Sequence, residues 1–157
     1  MAVYFFDSNA IVKYYLTEPG STWVRRIVDA EENTCLISDI SIAEVAAAMA
    51  QIQRHSSFGR DFMKRMNQQF QADIKRHVWL THAADIATVE YAAEIAQSYI
   101  IKGCDAIQVA SAVIAEEYTN LEIIFVSGDK QALHAARFEA LIVDNPFEHL
   151  DEDAPPP

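Results

Sequence analysis

One recurring unit limits what this chain can fold into: a short apolar run, then polar helix-starting residues, then a stretch of helical periodicity. Residues 2–6 (AVYFF) run into Asp7, Ser8 and Asn9, and the chain continues helically to Tyr15. Residues 34–38 (TCLIS) are followed by Asp39 and Ser41, which open an Ala-rich helix to about Arg54. Residues 122–126 (EIIFV) turn through Ser127, Gly128 and Asp129 into a helix ending near Arg137. Two further strands are expected at residues 77–81 and 140–143. Strands that alternate with helices predict an α/β fold, with a parallel sheet covered on both faces. Sites in such folds lie beyond the C-terminal ends of the strands. Asp7 and Asp129 would both emerge there.

The remaining helices are read from spacing. One is expected over residues 22–31, after the Pro19-Gly20-Ser21 break. Another, over residues 58–74, follows the interruption at His55, Ser56 and Ser57. Ile86, Val89, Ala93, Ala96 and Ile100 mark an amphipathic helix that Gly103 should stop. A new helix then starts near Asp105, with Ala106, Val109, Ala110 and Val113 on one face.

At 157 residues and 51% hydrophobic, the chain suits one core. Residues 1–147 read as a single domain and residues 148–157, ending DEDAPPP, as an acidic, proline-rich disordered tail. No apolar run approaches the ~20 residues that span a bilayer, and the N-terminus does not read as a signal peptide, so no membrane association and a cytoplasmic location are expected. Cys35 and Cys104 have no disulfide or metal-motif spacing and read as reduced, semi-buried thiols. The five histidines form no helical pair, and a phosphate-cradling glycine loop is absent, as is a nucleophile elbow.

Four acids stand at helix starts in otherwise apolar surroundings: Asp7, Glu44, Asp105 and Asp129. Each has a structural explanation. Asp7 and Asp129 can cap helices, Ser41 and Glu44 match a capping box, and Asp105 suits the dipole of a first turn. As a set they describe a carboxylate pocket. Gathered carboxylates repel one another unless a hard cation joins them, and an all-oxygen site favours Mg²⁺, with Mn²⁺ as a possible substitute.

These stretches resemble the PIN-domain nucleases, and within them the VapC-like toxins of toxin–antitoxin pairs. The likeness runs through residues 4–15 (YFFDSNAIVKYY), 41–49 (SIAEVAAAM), 102–112 (KGCDAIQVASA) and 125–133 (FVSGDKQAL), in order and with fitting spacing. The resemblance implies a three-layer α/β/α fold with a mostly parallel central sheet. It also implies Mg²⁺-dependent cleavage of RNA, a homodimer and a cognate antitoxin. On that reading Asp7 and Asp105 bind Mg²⁺ directly, while Glu44 and Asp129 orient water or help hold a second ion. Asn9 and Ser127 would fix carboxylate orientation. Water would attack phosphorus in line, leaving a 5′-phosphate and a 3′-hydroxyl.

The net charge of −11 runs against a nucleic-acid binder, unless a metal brings the positive charge to the cut or the acidity serves a basic partner. Half of the twelve basic residues lie in residues 54–76, where Arg60, Lys64 and Arg65 are candidate RNA contacts. Lys13, six residues past Asp7, is another. Phe58, Phe62, Met66 and Phe70 recur every four residues there, as core or as a groove for an antitoxin helix. Two other functions stay open: a non-catalytic PIN-like interaction module, and a metal-dependent phosphatase with Asp7 as nucleophile. The phosphatase style wants a second Asp two residues on, where Asn9 stands.

Overall fold

The computed structural model describes residues 2–55 and 59–150. In chain order the strands are β1 (Val3–Phe6), β2 (Thr34–Ser38), β3 (Leu80–His82), β4 (Ile123–Val126) and β5 (Ile142–Asp144). The helices are α1 (Ser8–Tyr15), α2 (Ser21–Val28), α3 (Ser41–His55), α4 (Arg60–Lys75), α5 (Ile86–Ser98), α6 (Gly103–Thr119) and α7 (Lys130–Phe138). A short 3-10 helix, Pro146–Glu148, follows.

The sheet has five strands in the order β3-β2-β1-β4-β5, and every pairing is parallel. β1 lies at the centre, in register with Thr34 of β2 on one side and Ile123 of β4 on the other, both opposite Val3. From β1 the chain steps outward to β2 and β3, then crosses to β4 and β5. The direction of winding therefore reverses between β1 and β4, and ligand crevices form at such a reversal.

Successive strand residues point to opposite faces. Phe5 and Phe125 enter a core with α5, α6 and α7; Phe6 and Val126 enter a second core with α1 to α4. The layers are thus α/β/α, as expected. The aromatic stripe on α4 belongs to the second core: Phe70 is fully buried, and Phe62 and Met66 pack against the same cluster. Phe58 lies outside the described residues, as does the chain from Asp151 on. His149 stacks on Trp23, centroids 4.3 Å apart, and its Nε2 bonds Asp144 at 2.7 Å, so the chain is docked on the domain up to that point.

Three local expectations need correction. The third strand is Leu80–His82 rather than residues 77–81, because His77 takes a left-handed φ of 62° and the chain is still turning there. Gly103 does not stop a helix; it is the first residue of α6. α5 already ends at Ser98, since Tyr99 turns extended at φ −127°. Of the stripe, Ile86, Val89, Ala93 and Ala96 form the solvent face of α5, and Ile100 lies beyond its end; Ile86 is 73% and Ile100 87% exposed. Thr88, Ala92 and Ile95 are buried instead. Both stripes have helical spacing, and close packing on α6 takes the one with the small Ala92 at its middle. Cys104 is exposed, unlike the buried Cys35.

Candidate active site

The C-terminal edge of the sheet places all four acids. Asp7 is the next residue after β1, and its backbone N–H extends the sheet to Val126 O at 2.9 Å. Glu44 sits in the first turn of α3, Asp105 in the first turn of α6, and Asp129 caps α7. Four helices therefore begin around one crevice, and their N-terminal partial charges favour anions there.

Asp7 is buried, 2% exposed. Its Oδ1 accepts the Ser8 N–H at 2.6 Å, capping α1. Its Oδ2 accepts Asn9 Nδ2 at 2.5 Å and the Ser127 hydroxyl at 2.7 Å. Asn9 Nδ2 also reaches Ser127 Oγ at 3.1 Å, and Asn9 Oδ1 accepts the Gly128 N–H at 2.7 Å. Asn9 and Ser127 thus tie the end of β1 to the turn after β4 and hold the Asp7 carboxylate. A Cβ at Gly128 would fall 2.8 Å from the Phe147 ring and 3.2 Å from Asn9 Oδ1, so a larger residue there would have to push the half-exposed ring aside.

Burial pushes Asp7 up to about 7, and the charges of Asp105 and Glu44 add to the rise, while the Ser127 and Ser8 hydrogen bonds oppose it. Asp105 is raised too, by burial and then by the charge of Asp129, with Glu44 adding and Lys102 opposing. The four carboxylates therefore share one electrostatic field. They are not drawn into contact: among the described residues no group of three or more His, Cys, Asp or Glu side chains lies close enough to hold a metal ion. Like charges repel, and each anchored carboxylate is turned onto protein donors. Asp129 Oδ1 accepts Gln131 N at 2.7 Å and Ala132 N at 3.1 Å.

Glu44 was open to a capping-box reading. Ser41 instead lies inside α3, and the Glu44 carboxylate accepts the Ser8 hydroxyl at 2.6 Å and Gln108 Nε2 at 2.6 Å. Gln108, fully buried, also reaches the hydroxyls of Ser8 and Ser41, each at 2.9 Å. It joins α1, α3 and α6 beneath the crevice. Neither Ser8 nor Gln108 is singled out by the sequence motifs. A glutamine inside the apolar face Ala106, Val109, Ala110 and Val113 was the available signal.

Lys13 is not a solvated lysine. It is 3% exposed, with Nζ 2.8 Å from Glu18 and 2.9 Å from the Pro19 carbonyl, and 4.1 Å from the Phe147 ring centroid. With Asn9, Gly128 and Asp129 it borders a recess of about 250 Å³. Arg60, Lys64 and Arg65 are exposed on α4. Arg60 and Lys64 border a groove of about 270 Å³ with Ala46 and Met49 of α3. Two lysines nearer the acids escaped notice in the sequence: Lys102, which precedes α6, and Lys130, which follows Asp129.

The donors fit a hard divalent cation in kind. All four are carboxylates, and a cation between them would relieve the repulsion that raises Asp7 and Asp105.

Comparison with known proteins agrees with this geometry. The family model for the PIN domain matches residues 4–139, and the chain belongs to that family. No curated protein sequence matches it. Among solved structures, it is similar to VapBC2 from Rickettsia felis bound to a DNA fragment from the promoter, at 21% identity and TM-score 0.59, covering 91% of this chain and 98% of that one. It is similar to a toxin–antitoxin complex from Klebsiella pneumoniae, at 16% identity and TM-score 0.58, covering 93% and 98%. It is also similar to VapC20 of Mycobacterium tuberculosis, a sarcin–ricin-loop-cleaving toxin, at 12% identity and TM-score 0.61, covering 84% and 94%. At these identities the likeness is one of fold.

Proposed function

We propose that this PIN-domain protein is a Mg²⁺-dependent ribonuclease and the toxin of a toxin–antitoxin pair. The observation that carries the reading is the single field of Asp7, Glu44, Asp105 and Asp129 at the winding reversal of the sheet, strong enough with burial to push Asp7 up to about 7. Membership of the PIN family supports nuclease chemistry in general. The antitoxin partner, and work as a homodimer, are expected from the resemblance, and a fold shared with toxin–antitoxin complexes supports the former.

Asp7 and Asp105 would hold Mg²⁺, or Mn²⁺ in its place, with Glu44 and Asp129 orienting water or helping to hold a second ion. The bound ion supplies charge neutralisation at the phosphate and lowers the pKa of water. Ser127, Asn9 and the Ser8 N–H keep Asp7 aimed. Ser8 and Gln108 keep Glu44 aimed. Arg60 and Lys64 would contact RNA phosphates along the groove between α3 and α4, with Arg65 exposed on the same helix, whereas Lys13 is held by Glu18 and the Pro19 carbonyl.

The test is incubation of the purified chain with mixed RNA and with a small phosphomonoester, in Mg²⁺ and in EDTA. The expected outcome is RNA cleavage that EDTA stops and that Asp7→Asn lowers at least a hundredfold with the fold kept. Phosphate release from the monoester alone would make the site a phosphatase. No reaction on either substrate would leave a binding module.

A further inference from the structure

A second cavity adjoins the acids. It holds about 460 Å³ and is lined by Ser98, Tyr99, Ile100, Lys130, Gln131 and His134. Two of its lining segments lie close along the chain to two of the acids. Lys130 follows Asp129, about 3.8 Å away along the chain. From Ile100 the chain passes through Lys102, whose charge acts on Asp105, and into the first turn of α6.

The wall is aromatic and open. The rings of Tyr99 and His134 stand perpendicular with centroids 6.5 Å apart. His134 lies 4.7 Å from Phe138, and Phe138 5.8 Å from Tyr99. Phe138 is 66% exposed and Ile100 87% exposed, so apolar and π surface faces solvent beside charged groups. Tyr99 also packs against the core of α5, α6 and α7, whereas His134, Phe138 and Ile100 face solvent.

We propose that this cavity is a nucleobase subsite, which takes one unstacked base of single-stranded RNA next to the scissile phosphate. The inference rests on the RNA-cutting reading and adds where the substrate is read. Proteins that bind single strands stack splayed bases on aromatic rings and hydrogen-bond the base edges. Here the rings of Tyr99 and His134 supply the stacking surface, with Phe138 packed beside them. The Gln131 amide and the Ser98 hydroxyl supply donors and acceptors for a base edge. Lys130 supplies a cation for the neighbouring phosphate on an otherwise acidic surface. A base seated here sets its own phosphate against Asp129 and Asp105, so occupancy of the subsite selects the bond that is cut.

The test uses a double variant, Gln131→Ala with His134→Ala, since both residues are exposed on α7 and their loss leaves the cores untouched. Binding of a randomised single-stranded RNA is measured by fluorescence anisotropy in Mg²⁺, with Asp7→Asn added to both proteins to stop cutting. The termini left by the cutting-competent proteins on the same pool are sequenced. The expected result is a loss of affinity of roughly tenfold, the scale of one stacked base, and disappearance of base preference at one position beside the cut. His134→Phe, which keeps a ring, should retain most of the affinity. Unchanged affinity and unchanged base preference would overturn the subsite and make the cavity a contact for another protein. If the parent protein cuts nothing, the ribonuclease reading falls, and the binding measurement still decides whether a base enters the cavity. RNA that binds neither protein overturns both.

Discussion

Asp7 carries two jobs that oppose each other. It caps α1 and lies buried among donors, which is a stabilising place for a carboxylate. Burial and the neighbouring charges nevertheless raise it to about 7, against 3.8 for the free side chain. The folded state therefore holds a proton that the unfolded state has already released between those two values. Stability should be highest near pH 4 and fall as the pH rises towards 7, then level off. Thermal melts in EDTA should show this slope, and Asp7→Asn should flatten it and raise the melting temperature at pH 8 by about 5 °C. A variant that melts lower at pH 8, with the slope intact, would contradict the argument. At this scale the acids were legible because each follows a strand or opens a helix. Their partners were not. Ser8 and Gln108 meet Glu44 across 36 and 64 residues of chain, and no local spacing records a hydrogen bond of that kind.

Among the elements, α6 illustrates how a helix can serve packing and chemistry on one face. Ala106, Val109, Ala110 and Val113 are buried as their spacing implies, and Gln108 is buried beside them. Its amide ties α6 to Ser8 of α1 and to Ser41 and Glu44 of α3. Gln108→Leu keeps the volume but strips two hydroxyls and a carboxylate of their shared donor, at a cost of about 2–3 kcal/mol. Urea unfolding should show the midpoint falling by that amount at unchanged slope. α5 teaches the opposite lesson. Periodicity there identified a helix correctly but chose the wrong face, because two apolar stripes run along it a hundred degrees apart and only contact with α6 decides between them. The strands were easier: each is a short apolar run, and four of the five both begin and end within two residues of expectation.

For the whole molecule, four of the acids behind the net charge of −11 gather at one crevice, so a cation bound there should affect stability as well as activity. Ligands that bind only the folded state stabilise it in proportion to the logarithm of their concentration. Melting temperature at pH 8 should therefore climb with Mg²⁺ in the millimolar range, and Asp105→Asn should largely abolish the climb. An equal shift in the variant would mean that the ion binds elsewhere. The three-layer architecture was legible as a whole because strand and helix alternate so regularly; the reversal of winding between β1 and β4 was not, since crossing direction leaves no mark in composition. That reversal governs the order of events during synthesis. The Asp7 carboxylate is completed by the Ser127 hydroxyl 120 residues later, and the central strand waits equally long for β4. A chain emerging from the ribosome holds Asp7 almost from the start, yet the crevice cannot close until the fourth strand is out. The carboxylate cluster is therefore among the last features that the emerging chain completes.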